Sequence, residues 1–347
     1  MLAALLYGAK DLRVHEVPKP SINSNEILLK VASAAVCGSD IRMFNNGYKG
    51  ITESTPKILG HEICGIIEEV GENVSGYTKG MRVAVAPNWG CGVCDQCVSG
   101  NTHLCSTYKA FGINENGGFA EYVKVPEEAV RQGNLVEVPA GISSDEVALI
   151  EPLSCVYNGQ RRTGIEEGDT VLVIGAGPIG IMHAMLAKAQ GASKVMVNDL
   201  SEERLEICKK IDSSILTVSS DNLKQNILDL TNGKGLDVCI VACPAPQAQT
   251  QSLELMNMNG KILFFGGLPA GREIVPINSN LIHYKQLSIF GSTRASLIEY
   301  RKMLYMVASG QMNLKGLVSN RFRVNEIAKA FELAAKADGL KNVIYFD

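Results

Sequence analysis

The chain has 347 residues, 46% of them hydrophobic, with 33 basic and 36 acidic side chains and a net charge of −3. So even a balance leaves no electrostatic footprint for nucleic acid or an anionic membrane, and no apolar run is long enough to span a bilayer. The length is too great for one compact core and suits two domains. Met1 to Tyr7 is apolar, lacks a basic leader and soon meets Gly8 and Lys10, so it reads as a first strand. Cysteines at metal-ligand spacing without a secretory signal point to a reducing, cytoplasmic setting.

From residue 1 to about 150, short apolar runs punctuated by glycine and proline predict strands in a β-barrel-like domain. Cys37 opens Cys37-Gly38-Ser39-Asp40, His61 and Glu62 lie in Gly60-His61-Glu62, and Glu151 begins Glu151-Pro152-Leu153. One thiolate, one imidazole and one or two carboxylates form a mixed set. Three protein ligands with a vacant fourth position are what a catalytic zinc needs to polarise a substrate oxygen. Taken singly, the same residues also fit a buried thiol, a satisfied histidine and two surface carboxylates. Cys91, Cys94, Cys97 and Cys105 form a C-x2-C-x2-C-x7-C run. That spacing suits a closed, tetrahedral structural zinc site. Iron–sulfur ligation and disulfides are the competing readings, but seven residues precede the last cysteine and Ser106 follows it, unlike the bacterial ferredoxin run. Two Zn2+ per chain are therefore expected.

Beyond about residue 152 the pattern alternates. Val171 to Ile174 runs straight into Gly175-Ala176-Gly177-Pro178-Ile179-Gly180, a G-x-G-x-x-G fingerprint between a strand and a helix. Its glycines allow a tight turn and close approach to a pyrophosphate at the helix N-terminus. Lys194 to Asn198 is a second strand, and Asp199 follows, 24 residues after Gly175. A carboxylate there accepts the adenosine ribose hydroxyls and repels a 2′-phosphate, which favours NAD over NADP. Asp199 also fits as an N-cap of the helix Glu202 to Lys210, a role for which Ser201 competes. Strands near Val171, Val195, Ile215, Val238, Ile262 and Leu287 with intervening helices predict a doubly wound parallel sheet. Helices are expected at Ser296 to Ser309 and Asn325 to Ala337, and a last strand at Asn342 to Phe346.

Gly60-His61-Glu62-x2-Gly65-x5-Gly71-x2-Val74, the four-cysteine lobe 17 residues beyond Val74, and the dinucleotide fingerprint together cover most of the chain. In these motifs the chain resembles the zinc-dependent medium-chain dehydrogenases, and with Glu151 where liver-type alcohol dehydrogenases carry a cysteine ligand it looks most like the sorbitol dehydrogenase branch. The resemblance implies an α/β chain: a discontinuous GroES-like β-barrel catalytic domain (1–151 with 293–347) and a Rossmann NAD-binding domain (152–292), with the active site in the cleft. It implies Cys37, His61 and Glu62 as catalytic zinc ligands and Glu151 as a ligand or a neighbour of the ligands. Ser39 would pass the substrate proton to a nicotinamide ribose hydroxyl. Gly175, Gly177, Pro178, Ile179, Gly180, Asp199, Arg204 and Ser292 form the expected cofactor set.

The chain departs from the liver-type pattern at Arg42, which stands where a relay histidine is found and cannot lose its proton at working pH. It either holds a substrate phosphate or carboxylate, or pairs with a neighbouring carboxylate on a helix face. Arg294, similar to the arginine that sorbitol dehydrogenases place beside substrate, either takes a polyol hydroxyl or an anion, or forms an interdomain salt bridge. His15, His103, His183 and His283 are read as structural or surface groups, and Cys64, Cys155, Cys208, Cys239 and Cys243 as small core residues. The expected activity is hydride transfer from a secondary hydroxyl of a sugar alcohol or related polyol to NAD, in a homotetramer or homodimer. Alternatives are a polyol-phosphate dehydrogenase and a catalytically inactive dinucleotide-binding regulatory protein. A zinc-ribbon nucleic-acid module fits poorly with the acidic balance.

Overall fold

Ile27–Ala35 is apolar at nearly every position, and in the computed structural model, which describes residues 1–346, it is buried along most of its length. Burial on both faces follows from its pairings. It runs antiparallel to Glu62–Val70, to Tyr122–Val125 and to Lys341–Tyr345, inside a seven-stranded sheet. A separate three-stranded sheet contains the first strand, Leu2–Gly8. The expected barrel is thus built from two ladders joined by an Ala3–Ala120 bridge and by the Ala4 N–H to Phe119 carbonyl bond of 2.9 Å. Register shifts between Leu28 and Leu29 and between Val31 and Ser33 interrupt the central strand, and such bulges bend and twist a ladder. Leu29, Val31, Ile63, Ile67, Phe119 and Phe331 fill the core of this unit.

The last strand begins at Lys341, one residue earlier than the apolar run suggests, and pairs Val343 with Ala35. Ahead of it, a turn of 3-10 helix at Val324–Glu326 precedes the helix Ile327–Lys336. The C-terminal segment thereby folds onto the N-terminal one, and Met1–Ser154 with the chain from Ala295 onward forms one unit while Cys155–Arg294 forms the other. Both boundaries fall two to three residues later than those read from sequence. The reason is that Ile150–Thr163 is one continuous helix whose contacts change unit part-way along it.

The second unit holds six parallel strands: Thr170–Ile174, Lys194–Asn198, Leu216–Val218, Leu236–Val241, Met256–Phe264 and Ser288–Gly291. Their spatial order is third, second, first, fourth, fifth, sixth, the doubly wound arrangement. Near-continuous Val, Leu and Ile in the central strands matches burial on both faces, with Val171, Leu172 and Val173 fully enclosed. The helix Pro178–Ala189 packs so closely on the first strand that a Cβ on Gly180 would run into the Gly175 carbonyl. Cys155 and Cys243 are half-buried rather than core residues, whereas Cys64, Cys208 and Cys239 are enclosed as expected. Among the described residues no helix is long and apolar enough to cross a membrane.

His183 sits fully enclosed in that helix, bonded through Nδ1 to Gln160 Nε2 at 3.1 Å and edge-on to Phe265 at 4.6 Å. Burial pushes its pKa down from 6.5 to about 3. The unfolded imidazole gains a proton near pH 6.5 while the folded one stays neutral. Its contribution to stability is therefore whole above that pH and is lost as pH falls toward 3. Urea unfolding between pH 6 and 4 should include a slope from this group of about 1.4 kcal/mol per pH unit. His183→Leu should remove that component, and an unchanged slope in the variant would contradict the assignment.

Candidate metal centre and dinucleotide site

Cys37 is the N-cap of the helix Gly38–Asn46, and Asp40 at its third position closes a capping box by accepting the Cys37 N–H at 2.9 Å. The same carboxylate, completely enclosed, accepts the Gly60 N–H at 3.3 Å and stands 3.6 Å from His61 Nδ1. Asp40 therefore fixes the backbone at Cys37 and at Gly60, beside the thiol and the imidazole. Burial opposes charge on His61, but the Asp40 carboxylate and the Cys37 sulfur outweigh it and hold its pKa well above the usual imidazole value. Ser39 Oγ lies 3.4 Å from His61 Nε2.

Glu62, at the head of its strand, is fully enclosed and faces Lys341 from the last strand. Lys341 Nζ is 2.6 Å from both carboxylate oxygens, and its hydrogen bond is directed at Oε1. A second bond of 3.0 Å goes to the Val36 carbonyl. Burial raises the Glu62 pKa to about 6, with Lys341 opposing and Glu151 adding to the rise. Lys341 stays protonated because Glu62 first, then Cys37, outweigh its own burial. Enclosed Tyr300, on the helix Leu297–Ala308, has its pKa pushed well up by burial and by the charges of Cys64, Glu151 and Glu62.

Ligand atoms of Cys37, His61 and Glu62 lie within 4.8 Å of one another. One sulfur, one nitrogen and one oxygen donor at that spacing fit zinc with a position left for substrate. Glu151, in the first turn of its helix, is outside this set, although Glu62 and Lys341 feel its charge. Of the two carboxylates the sequence offers, Glu62 is the one within ligand spacing of Cys37 and His61. Asp40 and Lys341 escaped the sequence reading. The Cys37-x2-Asp40 capping spacing could have revealed Asp40, whereas nothing local marks Lys341.

The other four thiols, Cys91, Cys94, Cys97 and Cys105, also lie within 4.8 Å of one another. The Cys91 N–H donates to Cys105 Sγ and the Cys94 N–H to Cys91 Sγ, both at 3.4 Å. Thiolates accepting backbone donors are poised for a cation. The Thr107 hydroxyl and the Cys91 N–H lower the Cys105 pKa to about 6, while burial pushes Cys97 up to about 12. The set fits a closed structural zinc with no room for substrate.

In the other unit, Asp199 follows directly on the second strand. Its Oδ2 accepts the Ala176 N–H at 2.7 Å and its Oδ1 the Ser201 N–H at 2.9 Å, tying the glycine loop to the strand end. The cap of Glu202–Ile211 is Ser201, which accepts the Arg204 N–H at 3.4 Å. That leaves Asp199 facing the loop, with the Arg204 guanidinium 4.0 Å away. Pro178 and Ile179 form the first turn beyond the loop, and Ser292 Oγ is enclosed at the end of the sixth strand. Arg42 is exposed and makes no ion pair among the described residues, so the expected pairing with a carboxylate does not form.

Residues 23–140 match the alcohol dehydrogenase GroES-like domain and residues 178–309 the zinc-binding dehydrogenase family. The sorbitol dehydrogenase of Bacillus subtilis is 33% identical over 99% of this chain and 97% of its own. An L-threonine 3-dehydrogenase of Pseudoalteromonas atlantica is 31% identical over 98% of each. An alcohol dehydrogenase from Escherichia coli, solved with NADH, superimposes with a TM-score of 0.89 at 27% identity over 100% of this chain and 99% of that one. The chain belongs to the zinc-dependent medium-chain dehydrogenases. As a member it is an oxidoreductase of GroES-like plus Rossmann architecture that works with zinc and a nicotinamide dinucleotide.

If Asp199 accepts the ribose hydroxyls as the motif implies, Asp199→Ala removes that acceptor and a charge that repels a 2′-phosphate. Losing one charge-assisted hydrogen bond costs about 1.5–3 kcal/mol, roughly 10- to 150-fold in kcat/KM for NAD. The gap between NAD and NADP should narrow in steady-state assays with both cofactors. A wild-type preference for NADP would refute the assignment.

Proposed function

We propose that this dehydrogenase oxidises a secondary hydroxyl of a free polyol with NAD. The observation that carries the reading is the meeting of Cys37, His61 and Glu62 in one open, carboxylate-containing donor set. Full-length similarity to a sorbitol dehydrogenase supports the substrate class. Zinc held by these three residues supplies a Lewis acid that makes a substrate hydroxyl easier to deprotonate. Ser39 takes that proton at Oγ and passes it outward, as Arg42 cannot. Asp40 keeps the imidazole of His61 in place, and Lys341 keeps Glu62 ionised within its buried site. Glu151 adds negative charge beside the donor set, and Arg294 offers its guanidinium fork to a substrate oxygen. Gly175 to Gly180, Asp199, Arg204 and Ser292 would hold the nicotinamide dinucleotide, which would supply the hydride acceptor.

A second reading, a phosphorylated polyol, is favoured by one observation: Arg42 is exposed and makes no ion pair among the described residues. A panel of free polyols, their phosphates and L-threonine, followed by NADH absorbance, separates these readings. If Arg42 holds phosphate, Arg42→Ala should cost about 1.5–3 kcal/mol, roughly 10- to 150-fold in kcat/KM, for the phosphorylated substrate alone. We expect the free polyol to rank first and Arg42→Ala to change its kcat/KM less than threefold. A selective loss with the phosphate would reverse that ranking, and turnover of L-threonine alone would overturn both readings.

The proposal extends to a homo-oligomer, tetramer or dimer, in a reducing cytoplasm. Ser288–Gly291 has a partner on one side only, and exposed Ile274, Ile277 and Tyr284 lie on the segment leading into it. A second copy pairing there would cover an edge that otherwise invites aggregation. None of the ten cysteines is paired in a disulfide, which supports a reducing compartment.

A further inference from the structure

We propose that Asn158 is the positioning residue for Arg294, fixing the left-handed backbone from which its side chain extends; this rests on the reading of Arg294 as a substrate residue given above. Asn158 lies within Ile150–Thr163 and is 5% exposed. Its Nδ2 donates to two successive carbonyls, that of Thr293 at 3.2 Å and that of Arg294 at 2.8 Å. Only a side chain with two N–H hydrogens on one atom meets both acceptors in this way, and a carboxylate of the same shape would set an oxygen against two oxygens.

The clamped residue has an unusual backbone. Arg294 has φ +54°, the left-handed region that a residue with a long side chain occupies only when its surroundings impose it. The direction of the Cα–Cβ bond, and so the field the guanidinium sweeps, depends on that conformation. Gly159 makes the clamp possible by letting the helix lie close. A Cβ there would come within 2.9 Å of Leu263 Cδ2 and 3.1 Å of Ser292 Oγ. The dipeptide Asn158-Gly159 therefore does two linked jobs: the glycine permits the approach and the amide holds the Arg294 turn. Neither residue belongs to the metal or dinucleotide motifs, and chain pattern alone gives no hint of the pairing, since 135 and 136 residues separate the partners.

The test uses zinc-loaded enzyme and NAD, with sorbitol or the free polyol that the panel ranks highest. Asn158→Ala should raise the KM for polyol about 10-fold, the loss of one to two buried hydrogen bonds transmitted to the arginine, with the Kd for NADH within twofold of wild type. Arg294→Ala should cost at least as much, and the double variant should be no worse than Arg294→Ala alone. A merely structural asparagine would lower the melting temperature and act on both substrates, and its loss would multiply with that of Arg294→Ala. That multiplication, or an unchanged polyol KM in Asn158→Ala beside a raised one in Arg294→Ala, overturns the clamp while leaving the role of Arg294 standing. An unchanged KM in Arg294→Ala overturns that role and the clamp with it. Asn158→Asp, near in shape but without the donor, should match Asn158→Ala; should it fail to fold, Asn158→Ala carries the test by itself.

Discussion

Cys37→Ser is expected to cut the zinc content from two ions per chain to one and to reduce kcat roughly a thousandfold while the protein stays folded. The two donor sets are chemically independent: Cys37, His61 and Glu62 in one, Cys91, Cys94, Cys97 and Cys105 in the other. A serine hydroxyl is a poor zinc ligand at neutral pH, so two remaining donors hold the ion weakly. Lewis-acid stabilisation worth several kcal/mol then disappears, and each 1.4 kcal/mol is a factor of ten in rate. Cys97→Ser should do the reverse. Cys97 is 8% exposed in a closed site whose metal binding is part of folding, so the variant should lose melting temperature before it loses activity per folded molecule. Metal analysis and thermal melts of both variants check this, and one zinc per wild-type chain would remove the two-site claim.

Lys341→Met should destabilise the catalytic unit by about 3–5 kcal/mol, because it leaves the carboxylate of Glu62 buried without its cation. The lysine is 4% exposed and the glutamate completely enclosed, so neither finds water when its partner is lost. The Val36 carbonyl loses a donor at the same time. Lys341→Arg, which keeps the charge, should cost much less. Added zinc should recover part of the loss in Lys341→Met, since a cation beside Glu62 replaces the missing one. Chemical denaturation of the three proteins, with and without zinc, is the measurement. A Lys341→Met variant as stable as wild type would show that the pair contributes nothing.

The same pair marks the limit of what the sequence could reveal. Cysteine spacing exposed the four-thiolate site, and glycine spacing between a strand and a helix exposed the dinucleotide loop, because both are local and each residue type has a stated chemical need there. Asp199 carried two readings in the sequence, ribose acceptor and helix cap, and in the structure Ser201 holds the cap. Glu62 and Lys341 are 279 residues apart, joined only because the last strand returns to pair with Ile27–Ala35. No periodicity carries such information. The choice between Glu62 and Glu151 was undecided in the sequence since both are carboxylates beside motif residues; only the fold brings Glu62 to ligand spacing with Cys37 and His61. Arg42 stayed ambiguous for the opposite reason, as an exposed side chain depends on what approaches it rather than on the fold around it.

The most direct test is the initial rate of NADH formation with a free polyol, measured on protein carrying two zinc ions and again after the metal is chelated and restored. A zinc-dependent polyol dehydrogenase should turn over in the first state, fall to background on chelation and recover with zinc but not with magnesium, whose preference for octahedral oxygen ligands does not suit Cys37 and His61. A rate unaffected by removal of the ion bound at Cys37, His61 and Glu62, or no NADH from any free polyol, would contradict it.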